Sequence, residues 1–275
     1  ISAVQFSLIS FLIIGSIITN GMKLRALAES FNTRLNIKEI LGLSAITTSL
    51  NNFFFKSGSL FTSNYLKRRY ELPFMSFAGS QGADHLISFF INALCGLIIS
   101  SIYLISAKGV FSTLSLGYLT IAGALALISS KIFDLQHRSN KYLNALIRAV
   151  NSLYRILKNK PLFYTLCFFN LLIVVLNTLR FFLVCKVLGL GIPFGYCLLF
   201  ITLLPFISAI PIIQSDIGTR ELIVGIFAQW LGASFEAGML ATLLDRCFIV
   251  FTALITALFY RNLLASPKLP GPTAQ

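Results

Sequence analysis

Apolar runs long enough to cross a bilayer recur along this chain, and most of its charges fall between them. A spanning helix needs roughly 20 mostly apolar residues. Such runs occupy 4–28, 86–105, 114–133, 162–187, 196–213 and 240–260. A shorter segment at 40–55 carries Thr47, Thr48, Ser49, Asn51 and Asn52, and further apolar pieces lie at 72–83 and 222–231. Only 11% of the 275 residues are charged, against roughly 25% in soluble domains, and the mean hydropathy is +0.84. A soluble domain of this size needs far more polar surface to cover its core. The sequence therefore predicts an all-α, polytopic integral membrane protein with about seven to eight apolar helices.

The basic excess is large, 22 Lys+Arg against 9 Asp+Glu. Nucleic acid is one reading of such a balance. No nucleic-acid-binding motif accompanies it, so no nucleic-acid partner is expected. Cytoplasmic helix ends enriched in Lys and Arg beside anionic headgroups account for it. Cys95, Cys167, Cys185, Cys197 and Cys247 sit in apolar stretches without metal-ligand spacing, and only His85 and His137 could assist them. No metal, cofactor or disulfide framework is expected. Walker, H-E-x-x-H and G-x-S-x-G patterns are missing, so no catalytic residue is assigned.

The linker 134–160 differs in kind. Leu143, Ile147, Val150, Leu153, Tyr154 and Leu157 recur at helical spacing, with Lys141, Arg148 and Arg155 near the opposite face. This pattern predicts a basic amphipathic helix on the membrane surface, with a plain solvated connector as the alternative. Its basic residues place that end in the cytoplasm. Lys23, Arg25, Arg34 and Lys38, and then Lys56, Lys67, Arg68 and Arg69, flank the 40–55 segment on both sides. Both clusters stay cytoplasmic if that segment enters the membrane, turns near 51–58 and leaves again. Such a re-entrant hairpin is tolerated where protein or a wet cavity covers its backbone.

The chain also shows a faint internal repeat. NGMKLR at 20–25 corresponds to NTLR at 177–180, aligned on Arg25 and Arg180. KSG precedes LPF and ADH in the first half, as DIG precedes ASF and LDR in the second. The predicted division is a single transmembrane unit over 1–265, with repeat one at about 4–106, repeat two at about 162–260 and a disordered tail at 266–275. Charge parity gives the two repeats opposite orientations, a transporter-like architecture whose site lies where interrupted segments meet.

The most informative stretch is PIIQSDIGTRELIVGIF, 211–227. Pro211 breaks a helix, Asp216 and Gly218 make a turn, and Arg220 and Glu221 open the next helix. Charges between apolar segments must pair or face water. Arg220 suits a phosphate, because its planar fork donates bidentately beside the bare N–H groups of a helix start. The alternative is a structural elbow in which Arg220 pairs with Asp216 or Glu221. Asp245 and Arg246 lie inside the last apolar run and point about 100° apart, so each is expected to find a partner elsewhere. Asp84 and His85 hold the matching place in the first half. Arg180 and Arg25 either join the site or snorkel to headgroups.

These features resemble the lysylphosphatidylglycerol synthase transmembrane region family. The resemblance rests on the helix ending Lys23-Leu24-Arg25 and on SGSLFTSNYLKRRYELPF at 57–74. Its third and most specific part is DIGTRELIVGIFAQWLGAS at 216–234 followed by LLDR, similar to the family's Gly-x-Arg-Glu motif and its later helix-embedded Arg. Two departures stand out: Lys56 replaces a common Pro before the first turn, and Asp216-Ile217 stands where Gly-Gly is frequent. A family helix is expected to precede Val4. The soluble aminoacyl-transfer domain of the synthases is not in this sequence, so the chain is not expected to aminoacylate lipids itself. The resemblance implies a flippase-like translocase for a lipid or lipid-linked intermediate, multi-pass in the inner (cytoplasmic) membrane and serving an envelope lipid or polysaccharide pathway. Arg220, with Arg246 or Arg180, would hold an anionic lipid phosphate near Gly218. Asp216, Glu221 and Asp245 would orient those arginines or carry protons. The alternatives are a membrane enzyme acting on a lipid-linked sugar, with Asp84, His85 and Asp216 converging, or a non-catalytic partner of a biosynthetic enzyme.

Overall fold

The computed structural model describes residues 2–53, 57–104, 110–130, 141–208, 218–230 and 232–265. All the regular elements among them are helices: α1 (Ala3–Glu29), α2 (Ile37–Phe53), α3 (Ser57–Tyr70), α4 (Phe74–Leu104), α5 (Val110–Ser130), α6 (Lys141–Lys158), α7 (Lys160–Val187), α8 (Phe194–Ser208), α9 (Thr219–Trp230) and α10 (Phe235–Ala265). Four of them, α1, α4, α7 and α10, are long and apolar enough to cross a membrane. Shorter apolar helices lie at Ser112–Leu125 and Phe194–Ser208. Together they make a multi-pass membrane protein. Tyr164, Phe168, Leu171, Val175 and Leu179 form an exposed stripe at helical spacing along α7. Exposed apolar stripes of this kind are at home against lipid chains.

Two boundaries differ from the sequence expectation. The pieces 72–83 and 86–105 fuse into the 31-residue α4. Asp84 does not end that helix because its carboxylate finds Lys23 and Asn170. Likewise α10 begins well before 240 and carries Asp245 and Arg246 in its interior. The expected tail 266–275, the turn 209–217 with Asp216, and residues 134–140 of the linker lie outside the described residues.

The linker helix α6 is amphipathic as expected, but protein covers much of its apolar face. Ile147 and Ile156 are buried, and Leu153 and Leu157 pack on the core formed by α1, α2, α4 and α7. Gly79 makes room for this contact on α4: a methyl there would overlap the backbone of Ala149.

Helices α2 and α3 form a closed hairpin. Near its tip, Thr47 and Thr62 share a hydroxyl hydrogen bond of 2.6 Å, and Gly58 lets the two backbones approach. At its open end Glu39 accepts hydrogen bonds from Tyr65 (2.8 Å) and Tyr70 (2.7 Å) and pairs with Arg69 at 2.9 Å. Burial alone would raise the Glu39 pKa, but these donors, the Asn36 N–H and the Arg69 charge outweigh it and hold the carboxyl below its ordinary value. Burial and the Glu39 hydrogen bond push the Tyr70 phenol up to about 12.

Helices α1 and α7 pack side by side and antiparallel. Ser16 reaches Asn177 (3.3 Å), while Lys23, further along α1, reaches Asn170, further back along α7 (2.9 Å). Helix lengths in α1–α4 run 27, 17, 14 and 31 residues, and those in α7–α10 run 28, 15, 12 and 31.

Candidate functional site

Helical spacing places the polar residues of the two central helices on one shared face. Ser16, Asn20 and Lys23 succeed each other at i, i+4 and i+7 on α1, and Asn170, Asn177 and Arg180 stand at i, i+7 and i+10 on α7. The faces meet, and two ion-pair centres form along the seam.

The first centre joins three helices. Lys23 Nζ pairs with Asp84 Oδ2 at 2.8 Å and donates to Asn170 Oδ1, while Asn170 Nδ2 donates to Asp84 Oδ1 at 2.9 Å. Every strong charge here is matched one for one.

The second centre is not balanced. Arg180 grips Asp245 through both carboxylate oxygens, Nε to Oδ1 at 2.7 Å and Nη2 to Oδ2 at 3.0 Å, and its Nη1 donates to Asn177 at 2.8 Å. Arg246 donates to Glu221 at 3.1 Å, and the other Glu221 oxygen accepts from the Gly218 N–H at 2.8 Å. Gly218 has φ +86, the left-handed region that glycine enters without strain, so the chain can turn directly into α9. Arg220 approaches Asp245 only at 3.6 Å, and its Nε is buried without a hydrogen-bond partner among the described residues. Arg180, Glu221, Asp245 and Arg246 are each under 9% exposed. Among the described residues, three guanidiniums thus share two carboxylates in a largely buried cluster. Surplus charge away from water is expensive unless an opposite charge joins it.

Arg180 and Arg220 open onto a cavity of about 300 Å3 that also touches Asn20, Thr48, Asn92 and Asn177. A second chamber, of about 280 Å3, holds Lys23 and Asp84. Asn20, Thr48, Ser88, Asn170 and Ile173 line both, so the two form one polar path between the ion-pair centres. Thr48 and Asn52 near the end of α2, and Pro205, Ser208 and Arg220 from α8 and α9, face the same cavity. Beside it lies a largely apolar groove of about 910 Å3, lined by Phe53, Met239, Leu240, Leu243, Val250 and Leu254, with Glu221 and Arg246 at its polar part. Asn52 borders both cavity and groove.

Of the residues expected from sequence, Arg180, Arg220, Glu221, Asp245 and Arg246 come together, with Gly218 at the turn; Asp216 lies outside the described residues. Several pairings differ from expectation. Arg220 faces Asp245 rather than Glu221, whereas Arg180 is buried in the cluster, the first of the two placements expected of it. Asp84 is engaged by Lys23 and does not stand free beside His85. Asn20-x-x-Lys23 and Asn177-x-x-Arg180 share one spacing, and Lys23 and Arg180, rather than Arg25, each pair with a distant aspartate, Asp84 and Asp245. Arg25 sits on the far side of α1 and pairs with Glu29 at 2.7 Å on an exposed face. Sequence reading passed over Lys23, Asn170 and Asn177 as site residues. Their available signal was the repeated Asn-x-x-basic spacing inside apolar helices.

The sequence model of one family, the lysylphosphatidylglycerol synthase TM region, matches residues 1–257. No curated protein and no solved structure matches the chain.

Proposed function

The chain belongs to the lysylphosphatidylglycerol synthase transmembrane region family, and from that premise we propose that it translocates an anionic lipid or lipid-linked intermediate. The observation that carries this reading is the unbalanced centre on the cavity wall. Arg180 has a bidentate carboxylate and Arg246 has Glu221, which among the described residues leaves Arg220 as the surplus cation, its buried Nε without a hydrogen-bond partner there. A phosphate supplies the missing charge and the geometry a guanidinium fork prefers. The apolar groove reached past Asn52 gives the acyl chains a place beside the headgroup.

The architecture supports movement rather than static binding. The apolar set is α1, α2, α4, α5, α7, α8, α9 and α10, and we read it as two inverted repeats, α1–α4 and α7–α10, with α2/α3 and α8/α9 as re-entrant hairpins. Contacts among these helices come in matched pairs: α2 packs on α10 as α8 packs on α4, and α1 on α10 as α7 on α4. Lys23–Asp84 and Arg180–Asp245 occupy matching places in the two halves. Antiparallel packing of α1 and α7 is what inversion requires. Two similar halves meeting at a polar site can exchange which side of the membrane is open. The basic residues of α6 support a cytoplasmic position for that end, in keeping with our reading of an inner-membrane protein that serves an envelope lipid or polysaccharide pathway.

The test is reconstitution of the purified chain into vesicles holding phosphatidylglycerol with a fluorescent acyl chain. A membrane-impermeant reductant should reach inner-leaflet lipid in wild-type vesicles and fail to reach it in Arg220→Gln vesicles. Wild-type vesicles that behave like protein-free ones would defeat the reading.

A further inference from the structure

The two chambers of the polar path differ in charge, and that difference specifies the headgroup. Building on the translocase reading, we infer that the transported headgroup carries a neutral, hydroxyl-rich moiety (a polyol or sugar) beyond its phosphate, and that the Lys23–Asp84 chamber recognises it.

Asp84 is the one carboxylate lining this chamber among the described residues, and Lys23 and Asn170 already engage both of its oxygens. An amine-bearing headgroup would need a carboxylate not so engaged. A second phosphate would need a cation not so engaged; Lys23 is held by Asp84, and His85, which also lines the chamber, has an interaction of its own. The remaining polar wall supplies hydroxyls and amides. Asn20, Thr48, Ser59 and Gln81 line the chamber and make no side-chain hydrogen bond with any other described residue. Two amides and two hydroxyls together offer both donors and acceptors, the set that vicinal hydroxyls match. They stand along a path that starts at the phosphate cation Arg220. Asn20 and Thr48 stand in both chambers, at the junction where phosphate ends and polyol begins.

The experiment measures binding of short-chain lipids to the detergent-solubilised full chain by thermal shift titration. Its probes are phosphatidylinositol, with phosphate and polyol; phosphatidic acid, with phosphate alone; and phosphatidylethanolamine, with phosphate and amine. Wild type should bind phosphatidylinositol about tenfold or more tightly than the other two, the yield of one or two added hydrogen bonds. Ser59→Ala and Gln81→Met remove no hydrogen bond to the described protein, so their own stability should match wild type. Each should pull phosphatidylinositol toward phosphatidic acid and leave phosphatidic acid unchanged. Equal binding of phosphatidylinositol and phosphatidic acid by wild type would overturn the inference, as would a preference for phosphatidylethanolamine or a preference that survives both variants. Arg220→Gln separates this from the translocase reading. It should weaken all three lipids alike, and if phosphatidic acid binds Arg220→Gln as well as wild type, the phosphate assignment itself fails.

Discussion

Arg180 and Arg220 both face Asp245, yet loss of Arg180 should cost folding stability heavily and loss of Arg220 should barely change it. Arg180 holds Asp245 through two hydrogen bonds of 2.7 and 3.0 Å in a setting where Asp245 is fully buried. Arg180→Gln leaves that carboxylate with Arg220 alone at 3.6 Å, beyond good hydrogen-bond reach. Breaking a buried pair in this way costs about 3–5 kcal/mol. At roughly 2–4 °C per kcal/mol for a larger domain, the midpoint of thermal unfolding should fall by about 6–20 °C. Arg220→Gln removes the cation left over among the described residues instead. Asp245 keeps Arg180, Glu221 keeps Arg246, and the described charges of the centre balance. Its stability should change by no more than about 1 kcal/mol in either direction, while lipid movement should collapse. The assay pairs thermal unfolding in detergent with lipid movement in vesicles made from the same preparations. The reasoning is refuted if Arg220→Gln unfolds as readily as Arg180→Gln, which would make Arg220 a structural partner. It is equally refuted if Arg220→Gln stays folded and moves lipid at the wild-type rate.

Three further predictions follow from other parts of the fold. Asp84→Asn should destabilise by about 3–5 kcal/mol, because it strands Lys23, and Lys23→Met/Asp84→Leu should recover most of that loss on thermal unfolding; no recovery would mean the pair is not energetically coupled. The folded Glu39 carboxyl titrates below its ordinary value of 4.5, so its contribution is present above that value and lost as pH falls through the folded pKa. Wild-type thermal stability should therefore decline in acid, and Glu39→Gln should start lower and show a flatter acid profile; identical slopes would contradict the hairpin-base account. In a Cys247→Ser background, a membrane-impermeant thiol reagent added to intact cells should label Gly191→Cys and spare Lys158→Cys, and the reverse pattern would invert the proposed orientation.

The membrane class was legible in sequence because bilayer thickness converts directly into run length, and α1 and α7 began and ended close to where their apolar runs did. The continuity of α4 was not legible. Asp84 looks like an interruption until Lys23, distant in sequence, neutralises it within a continuous helix. The site's membership was largely readable from Gly218-Thr219-Arg220-Glu221 and Asp245-Arg246, since charge inside apolar runs demands a reason. Its pairings were not, because a helix presents a face and sequence does not say which face it meets. Lys23 illustrates this: two residues from Arg25, it lies roughly 200° around the helix, inside the protein instead of outside.

The central claim is that a lipid phosphate occupies the path beside Arg220. The most direct measurement places p-benzoylphenylalanine at Ile173, an apolar position lining both chambers, in cells grown on radiolabelled phosphate. On irradiation the chain should acquire lipid-derived radiolabel, and the same position in an Arg220→Gln chain should acquire little. Label of equal intensity in both chains, or none in the wild type, would contradict the account.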